Sequence, residues 1–345
     1  MKKIKVISAI LVFFLIAAGS NLVFADGGER NGTAGSVQLL IPVGPRGIGM
    51  GSGTLANSKG IESIFWNPAN LSRGSKSTEV MFEHMSYIAD IGIEYGAIKT
   101  SVEGFGTIGF HIKTLDIGEI PVTTSDFPDG IGRTYTPQFF TIGATYSIML
   151  SDRISVGLTC NYISEKIEFV SATGLGFNIG LTYSDLANLK GLNFAIAMKN
   201  FGGNMQYDGS GLLVLADANG YLRPEQYYKI EAAPYELPSS VQFGLSYHYD
   251  INKQNAIEAA IQFENANFYG DMYHGGFEYA YDNMVFLRFG YQVSPTLIKA
   301  ENVFGLAGGI GFKVNVGGMA LGVDYAYRDA KVFDGNHIFS LYLGL

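Results

Sequence analysis

A two-residue alternation of apolar and polar side chains, running from about residue 77 to the C-terminus, limits the folds open to this chain more than any other feature. In residues 153–162, for example, Ile154 begins a series in which every second residue is apolar and the residues between are small or polar. The segments 241–249, 304–316 and 319–327 show the same pattern. Successive side chains of a β-strand point to opposite faces, so the alternation predicts strands with one apolar and one polar face.

Composition distinguishes a soluble sheet from a sheet in a membrane. Aromatic residues make up 13% of the chain and charged residues only 16%, whereas about 25% charged residues is usual for soluble domains. After the N-terminal region, no apolar run approaches the roughly 18 residues of a membrane-spanning helix. A soluble β-sandwich or β-helix would also alternate, but it would not need so many aromatic residues on its apolar faces. We therefore predict an all-β fold, a transmembrane antiparallel β-barrel that pairs every backbone polar group within lipid.

The alternating segments number about 14, an even count as in single-chain bacterial barrels. We place the strands near 78–89, 92–101, 104–115, 134–149, 153–166, 171–183, 191–200, 238–250, 255–266, 272–281, 284–293, 303–315, 318–328 and 337–345. The connections after even-numbered strands are short, and the longest ones, 116–133 and 201–237, follow odd-numbered strands. Because such barrels have short periplasmic turns and long external loops, this pattern predicts that both termini are periplasmic.

The first 25 residues have the pattern of a secretory signal peptide. Lysines at positions 2, 3 and 5 precede an apolar run from Val6 to Ala18, and Val23-Phe24-Ala25 forms a cleavage site for the secretory peptidase. The alternative, an N-terminal membrane anchor, is disfavoured because the apolar run is short for a spanning helix. Together with the barrel pattern, this leader predicts the outer membrane of a Gram-negative-type bacterium.

Composition and motif content argue against several functional classes. The net charge of −8 argues against nucleic acid as a partner, and a single cysteine, Cys160, rules out an intrachain disulfide. The five histidines are scattered over different predicted strands without metal-binding spacing. The glycines of 47–53 lack the flanking strand, helix and partner residues of a nucleotide-binding loop. We expect no catalytic residue, no metal ion and no cofactor.

The glycine-rich stretch 38–75 contains the segments LLIPVGPRGIGMG and IFWNPANL. Together they resemble the start of PorV/PorQ-family outer-membrane proteins and, more distantly, the FadL family, which shares an Asn-Pro-Ala element in its N-terminal hatch. The residues that match the PorV/PorQ pattern are Gly44, Arg46, Gly49, Met50, Gly51, Trp66, Asn67, Pro68, Ala69 and Leu71. Departures from it are Pro45, Gly47 and Asn70. The resemblance implies a FadL-like barrel of 14 strands with the N-terminal segment folded into the lumen.

The residues themselves agree with a plugged barrel. Small residues predicted to face the lumen leave room for a plug; they are Gly143, Gly157, Gly180, Gly244, Ala307, Gly309 and Gly322. Charged residues in the same register could pair with the plug or with each other; they are Lys113, Glu258, Glu264, Arg288, Lys313 and Asp324. For Asn67-Pro68 we consider a rigid turn capped by the amide side chain, and also direct contact with a ligand. We divide the chain into a signal peptide (1–25), a plug or hatch segment (26–76) and the barrel (77–345).

The predicted external loop 201–237 contains an apolar run where water is expected. Its candidate partner or ligand residues are Leu212, Leu213, Val214, Leu215 and Tyr221. Such a run can mark an interaction surface. The alternative is a structural role, in which the run folds over the barrel mouth or extends a strand above the membrane.

The resemblance implies a non-enzymatic protein that binds secreted proteins or aids their delivery to the surface, as in type IX secretion. The alternative is a FadL-like channel for the uptake of hydrophobic small molecules. The expected partners are outer-membrane lipid, with secreted cargo or secretion machinery in the first case and a hydrophobic ligand in the second.

Overall fold

The computed structural model describes residues 32–217, 225–295 and 302–345. The predicted signal peptide and Tyr221 lie outside the described residues. Fourteen long strands form one closed sheet, and we label them β1 to β14 in chain order. They are β1 Thr78–Ser86, β2 Gly92–Val102, β3 Gly106–Asp116, β4 Gln138–Met149, β5 Ile154–Ile167, β6 Val170–Tyr183, β7 Leu192–Gly202, β8 Ser240–Asp250, β9 Asn255–Ala266, β10 Met272–Tyr281, β11 Val285–Val293, β12 Phe304–Val316, β13 Met319–Ala330 and β14 Asn336–Gly344.

Every barrel strand pairs antiparallel with its neighbours in the chain, and the last strand closes the sheet on the first. In the closing pair, Glu79 of β1 lies opposite Gly344 of β14, and Ser86 lies opposite His337. The predicted fold class, an antiparallel barrel of 14 strands, is confirmed. A closed sheet has no free edge, so its backbone polar groups are paired within the barrel wall.

Two predicted strand boundaries are wrong, each for a local reason. The first strand ends at Ser86 instead of 89, because Ala89 and Asp90 take positive φ values of 53° and 59° and form a turn. The fourth strand begins at Gln138 instead of 134, directly after Pro137, which has no N–H to donate to a sheet. Thr134–Tyr135 instead pairs with Ile120–Pro121 in a separate small hairpin.

The two ends of the barrel differ in their connections. One end, here the turn end, carries the connections 103–105, 150–153, 184–191, 251–254, 282–284 and 317–318. The opposite end, here the loop end, carries the long connections 117–137 and 203–239. Within 203–239, Asp208–Gly209 adds to β6, Ser210–Leu212 is a 3₁₀ turn, and Leu213–Ala216 pairs with Gln226–Lys229. A further 3₁₀ turn, Leu186–Asn188, lies at the turn end.

Residues 36–74, here the plug, cross the lumen from the loop end to the turn end. Ala34 forms a bridge with Glu236 at the loop end, and Arg73 donates to the Arg153 carbonyl at the turn end. The plug consists of short helices: the 3₁₀ helices Val37–Leu40, Gly60–Glu62 and Pro68–Arg73, with α1 Pro45–Gly49 and α2 Ser63–Trp66. No helix in the described residues is long and apolar enough to cross a membrane.

The strand faces divide as the alternation predicts. In β1, Glu79, Met81, Glu83 and Met85 are buried toward the plug, whereas Phe82 is 63% exposed on the outer surface. Other large apolar side chains exposed on the outer surface include Ile98, Phe110, Leu158, Phe289 and Leu341. The wall therefore presents apolar groups outward and polar or small groups to the plug.

Candidate functional site

Arg46, at the start of α1, joins the plug to the barrel wall by buried ion pairs. Its Nε donates to Glu278 Oε2 at 2.9 Å, and its Nη2 donates to Glu278 Oε1 and Glu258 Oε2, each at 3.0 Å. Arg288 donates to the same Glu278 at 2.7 Å and also pairs with Asp324. The inward charges of β9, β10, β11 and β13 thus form one chain of alternating sign, in which Arg46 of the plug links Glu278 to Glu258. Such compensation is what buried charges require.

Burial affects one further acid of this network. Glu62 Oε2 lies 3.7 Å from Arg46 Nη1. Burial raises the pKa of Glu62 to about 7 from its ordinary 4.5, and the nearby Arg46 guanidinium partly opposes that rise.

The plug glycines lie where a side chain would collide with the wall. Gly51 has φ 63°, and a Cβ there would lie 2.4 Å from the backbone nitrogen of Tyr291. A Cβ on Gly49 would lie 3.3 Å from backbone atoms of Gly309. Gly44, with φ 93°, donates its N–H to Glu83 Oε2 at 2.6 Å. The glycines therefore let the plug backbone pass within contact distance of the strands.

Met50 and Trp66 are large buried side chains of the plug, and Met50 lies against Gly276 of the wall. Met50 is fully buried, and Trp66 packs edge-on against Phe65 with ring centroids 5.1 Å apart. A Cβ on Gly47 would lie 2.4 Å from the Trp66 ring. The indole therefore explains Gly47, one of the departures from the family pattern.

The Asn-Pro-Ala element forms a capped turn against the wall. Asn67 Oδ1 accepts from the Ala69 N–H at 3.1 Å, and Asn67 Nδ2 donates to Thr182 Oγ1 at 2.9 Å. Pro68 begins the 3₁₀ helix and lies against Gly157, where a Cβ would come within 2.3 Å of the Pro68 carbonyl oxygen. The amide thus has the geometry of a local cap with an added hydrogen bond to β6. Leu71, near the end of that helix, is fully buried.

An apolar cluster closes the loop end of the lumen. Here called the mouth cluster, it consists of Leu39, Ile163, Ala172, Met205 and Leu237. The hydroxyls of Tyr207 and Tyr235 both donate to Glu165 Oε2 of β5, at 2.6 and 2.8 Å. Burial, reinforced by the Glu165 carboxylate, raises the pKa of both tyrosines.

The apolar run of the 203–239 connection lies outside the mouth cluster. Leu213, Val214 and Leu215 are between 41% and 49% exposed in a hairpin, and Tyr227 on the opposite strand is 73% exposed. Leu212, in the preceding 3₁₀ turn, is half-buried. Other parts of the same connection, around Met205 and Leu237, cover the lumen. The apolar run thus extends outward as a hairpin.

A cavity of about 820 Å³ lies below the plug at the turn end. Plug residues Lys59 and Arg73 face wall residues Tyr247 and Tyr249 across it. A smaller cavity of about 280 Å³ shares Lys59 and Arg73 with it and reaches Arg46. In the part of the chain that the structure describes, no group of three or more His, Cys, Asp or Glu side chains could hold a metal ion.

The sequence reasoning missed several inward charges. Glu79 accepts the Ile61 N–H at 2.8 Å and pairs with Lys99 at 3.4 Å, and Lys199 lies over the Phe65 ring. Their positions in the alternating register of β1, β2 and β7 would have identified them as inward. The plug partners, the Ile61 N–H and the Phe65 ring, could not be identified in that way, because the plug has no regular periodicity.

No protein-family model matches the chain, and no curated protein matches it by sequence. Solved structures match it by fold. The CymD monoaromatic hydrocarbon channel superposes with a TM-score of 0.55 at 13% identity, covering 88% of this chain and 97% of that chain. The toluene transporter TbuX of Ralstonia pickettii gives 0.51 at 12% identity, covering 88% and 98%. A FadL homologue of Pseudomonas aeruginosa gives 0.50 at 13% identity, with the same coverage of 88% and 98%. The fold is that of the FadL-like 14-stranded barrels.

Proposed function

We propose that this protein is an outer-membrane channel that admits hydrophobic small molecules. The observation that carries the proposal is a pair of apolar surfaces at the loop end, the exposed hairpin and the mouth cluster, with the ion pair of Asp208 and Lys229 between them. The exposed hairpin of Leu213–Ala216 and Gln226–Lys229 is joined at its base to Asp208, which forms an ion pair with Lys229. Tyr207, the residue before Asp208 in the chain, packs against the mouth cluster. A hydrophobic molecule collected on the hairpin would pass the Asp208–Lys229 ion pair and then meet the apolar side chains of the mouth cluster down to plug residue Leu39.

The plug and the cavity below it supply the rest of a gated route. The plug fills the lumen, so passage requires part of it to move. Beneath it, the 820 Å³ cavity at the turn end is within the range of small-molecule sites, about 300–1,000 Å³. Polar contacts such as that of Arg46 with Glu278 hold one side of the plug in place. A hydrophobic molecule would therefore enter at the mouth cluster, where the contacts are apolar.

The location in the outer membrane is part of the proposal. It is supported by the outward apolar face of the closed barrel and by the signal-peptide pattern of residues 1–25. We place the loop end outside the cell and the turn end in the periplasm, following the usual lengths of loops and turns.

The names of the fold neighbours favour this channel over the secretion role that the PorV/PorQ resemblance implies. CymD is a monoaromatic hydrocarbon channel, and TbuX is a toluene transporter. Delivery of secreted proteins to the surface is the second candidate, and the exposed hairpin supports it as a surface for protein cargo. Co-purification of secreted proteins with the barrel from native outer membranes, lost when 205–230 are deleted, would favour this candidate.

The test of the channel is uptake of radiolabelled ethylbenzene by cells whose own hydrophobic-uptake channels are deleted. Wild-type protein should speed uptake over empty vector, and the triple change Leu213→Ser, Val214→Ser, Leu215→Ser should slow it. The control, Phe127→Ser with Ile131→Ser, removes exposed apolar side chains from the other long connection at the loop end and should leave uptake unchanged. Equal uptake by cells that carry the wild-type protein and by cells that carry the empty vector would refute the channel.

A further inference from the structure

A third, much smaller cavity lies between the plug and the wall and shares Leu39 with the mouth cluster. Its volume is about 20 Å³, enough for one water-sized species. Plug residues Leu39, Ile64 and Phe65 form one side of it. The wall side is polar and consists of Tyr95, His111, Lys113, Thr141, Asn161, Asn178, Lys199 and Asn200.

Two buried lysines line this cavity without a carboxylate partner. Lys113 Nζ donates to the carbonyls of Gln38 and Ile41, at 2.7 and 3.0 Å. Lys199 Nζ lies 4.0 Å from the centroid of the Phe65 ring and 5.9 Å from that of Trp66. Within the described residues neither ammonium group forms an ion pair within 4.0 Å, and the carboxylates that act on them from farther away are Glu83, on Lys113, and Glu264, on Lys199. Ring faces and carbonyls only partly replace the water that a buried ammonium group loses.

Hydrogen-bonding groups around the cavity are also unsatisfied. Thr141 Oγ1, Asn161 Oδ1 and His111 Nδ1 are buried without a partner in the described structure. Asn178 Oδ1 accepts from the Asn200 N–H at 2.7 Å, which leaves the Asn178 NH₂ group as a donor at the cavity. Orphaned polar atoms around a cavity of this size indicate an occupant that both fits and hydrogen-bonds. Of the three, the Thr141 hydroxyl can donate to an anion, whereas Asn161 Oδ1 can only accept.

We propose that this cavity binds one small monovalent anionic group, held by Lys199 and Lys113 with donors from Thr141 and Asn178. An anion would place a negative charge in contact with the two lysines, which Glu83 and Glu264 supply only from beyond 4.0 Å, whereas a water would not. The same chemistry is offered by a free halide and by the carboxylate of an amphiphile whose tail lies along the plug. The proposal goes beyond the channel function and does not depend on it, because binding at this site requires no transport.

Trp66, the only tryptophan of the chain, is a built-in reporter for this site. Its ring lies 5.9 Å from Lys199 Nζ and is 4% exposed, so quenchers in bulk solvent are excluded from it. Trp66 does not line the cavity itself but packs against Phe65, which does. Iodide is a heavy-atom quencher at short range, so iodide bound beside Lys199 should give saturable quenching in purified, detergent-solubilised protein. Chloride should reverse the quenching by competition, and caesium, a cationic quencher, should not quench.

Variants separate the site from general effects on the barrel. Lys199→Met should weaken iodide binding at least tenfold, and Lys199→Arg should retain it, because charge is the required property. Lys313→Met is the matched control: Lys313 also lies on the wall over an aromatic ring, 4.8 Å from the Tyr342 centroid, but it does not line the cavity. Heat-modifiable gel mobility checks that each variant barrel is folded.

Competition with acetate and octanoate distinguishes the two sources of the anion. Octanoate effective at much lower concentration than acetate assigns the site to the head of an amphiphile, and equal competition by acetate and chloride assigns it to a free anion. Quenching that stays linear in iodide concentration, or that is the same in wild type and Lys199→Met, overturns the proposal.

Discussion

Arg46 of the plug binds Glu278 of the barrel wall through two parallel hydrogen bonds, Nε to Oε2 at 2.9 Å and Nη2 to Oε1 at 3.0 Å. The two residues are 232 positions apart in the chain. This is the bidentate geometry in which guanidinium and carboxylate interact most strongly. It couples the position of α1 to strand β10, so the plug cannot leave its place without separating buried charges.

Removing the guanidinium should therefore loosen the plug and leave the barrel closed. Among the described residues, Arg46→Ala leaves Glu258 with no cation within 4.0 Å and Glu278 with only Arg288. Removing one partner of a buried ion pair costs about 3–5 kcal/mol. We expect higher single-channel conductance in planar bilayers than for wild type. Glu258→Gln added to Arg46→Ala should restore part of the low conductance, because it removes the carboxylate that lost its cation. A variant that conducts no more than wild type would show that Arg46 does not hold the plug.

Because the plug backbone passes close to the barrel wall, we expect Gly51 to be indispensable and Gly53 to be replaceable. Gly51→Ala would place a Cβ 2.4 Å from the Tyr291 nitrogen at φ 63°. At Gly53 the nearest atoms to a Cβ are 3.5 Å away, an ordinary contact. We expect Gly51→Ala to shift Trp66 fluorescence to the red and to expose the plug to protease, with Gly53→Ala as the matched control that does neither. Equal behaviour of the two variants would contradict the steric explanation.

The plug should be held more weakly at pH 8 than at pH 5 through Glu62. Its pKa is raised by burial to about 7 from 4.5, so its contribution is complete below about 4.5 and is lost as the pH rises through about 7. Arg46, Asp324, Arg288 and Glu278 are the charged groups that act on it. Glu62→Gln, which resembles the protonated acid, should flatten the pH dependence of plug protease sensitivity between pH 5 and 8. An unchanged pH profile in this variant would assign the dependence to another group.

Closure of the loop end should depend on a shared acceptor. Tyr207 and Tyr235 both donate to Glu165 Oε2, so either hydroxyl alone can keep the connection attached to β5. Each hydrogen bond to a charged group contributes about 1.5–3 kcal/mol. The double change Tyr207→Phe with Tyr235→Phe should raise the rate of ethylbenzene uptake by about tenfold, which corresponds to about 1.4 kcal/mol. Each single change should raise the rate less.

The control for this experiment is Tyr146→Phe, which removes a hydroxyl that donates to the Phe105 carbonyl at the outer surface. It should leave uptake at the wild-type rate. Uptake by the double variant at the wild-type rate would mean that the two tyrosines do not limit access to the lumen.

Much of the barrel could be predicted from the sequence, because the two-residue period of a strand is a local property. The alternation places Glu258, Glu278 and Arg288 on the inner face whatever their partners are. The strand number follows from the same pattern, and the errors at 86–89 and 134–137 occur where a turn or a proline interrupts it. Glycines and the Asn-Pro-Ala element likewise indicated a crowded, turn-rich segment inside the barrel.

The tertiary structure alone decided which groups meet. That Arg46 reaches Glu278, that Gly47 leaves room for Trp66, and that Met205 closes the mouth while Leu213 extends outward depend on the path of the plug and of the 203–239 connection. Neither segment has a regular period. Contacts between residues far apart in the chain are selected by packing and charge compensation over the whole lumen, so the sequence determined the wall and the inward charges, and folding determined their partners.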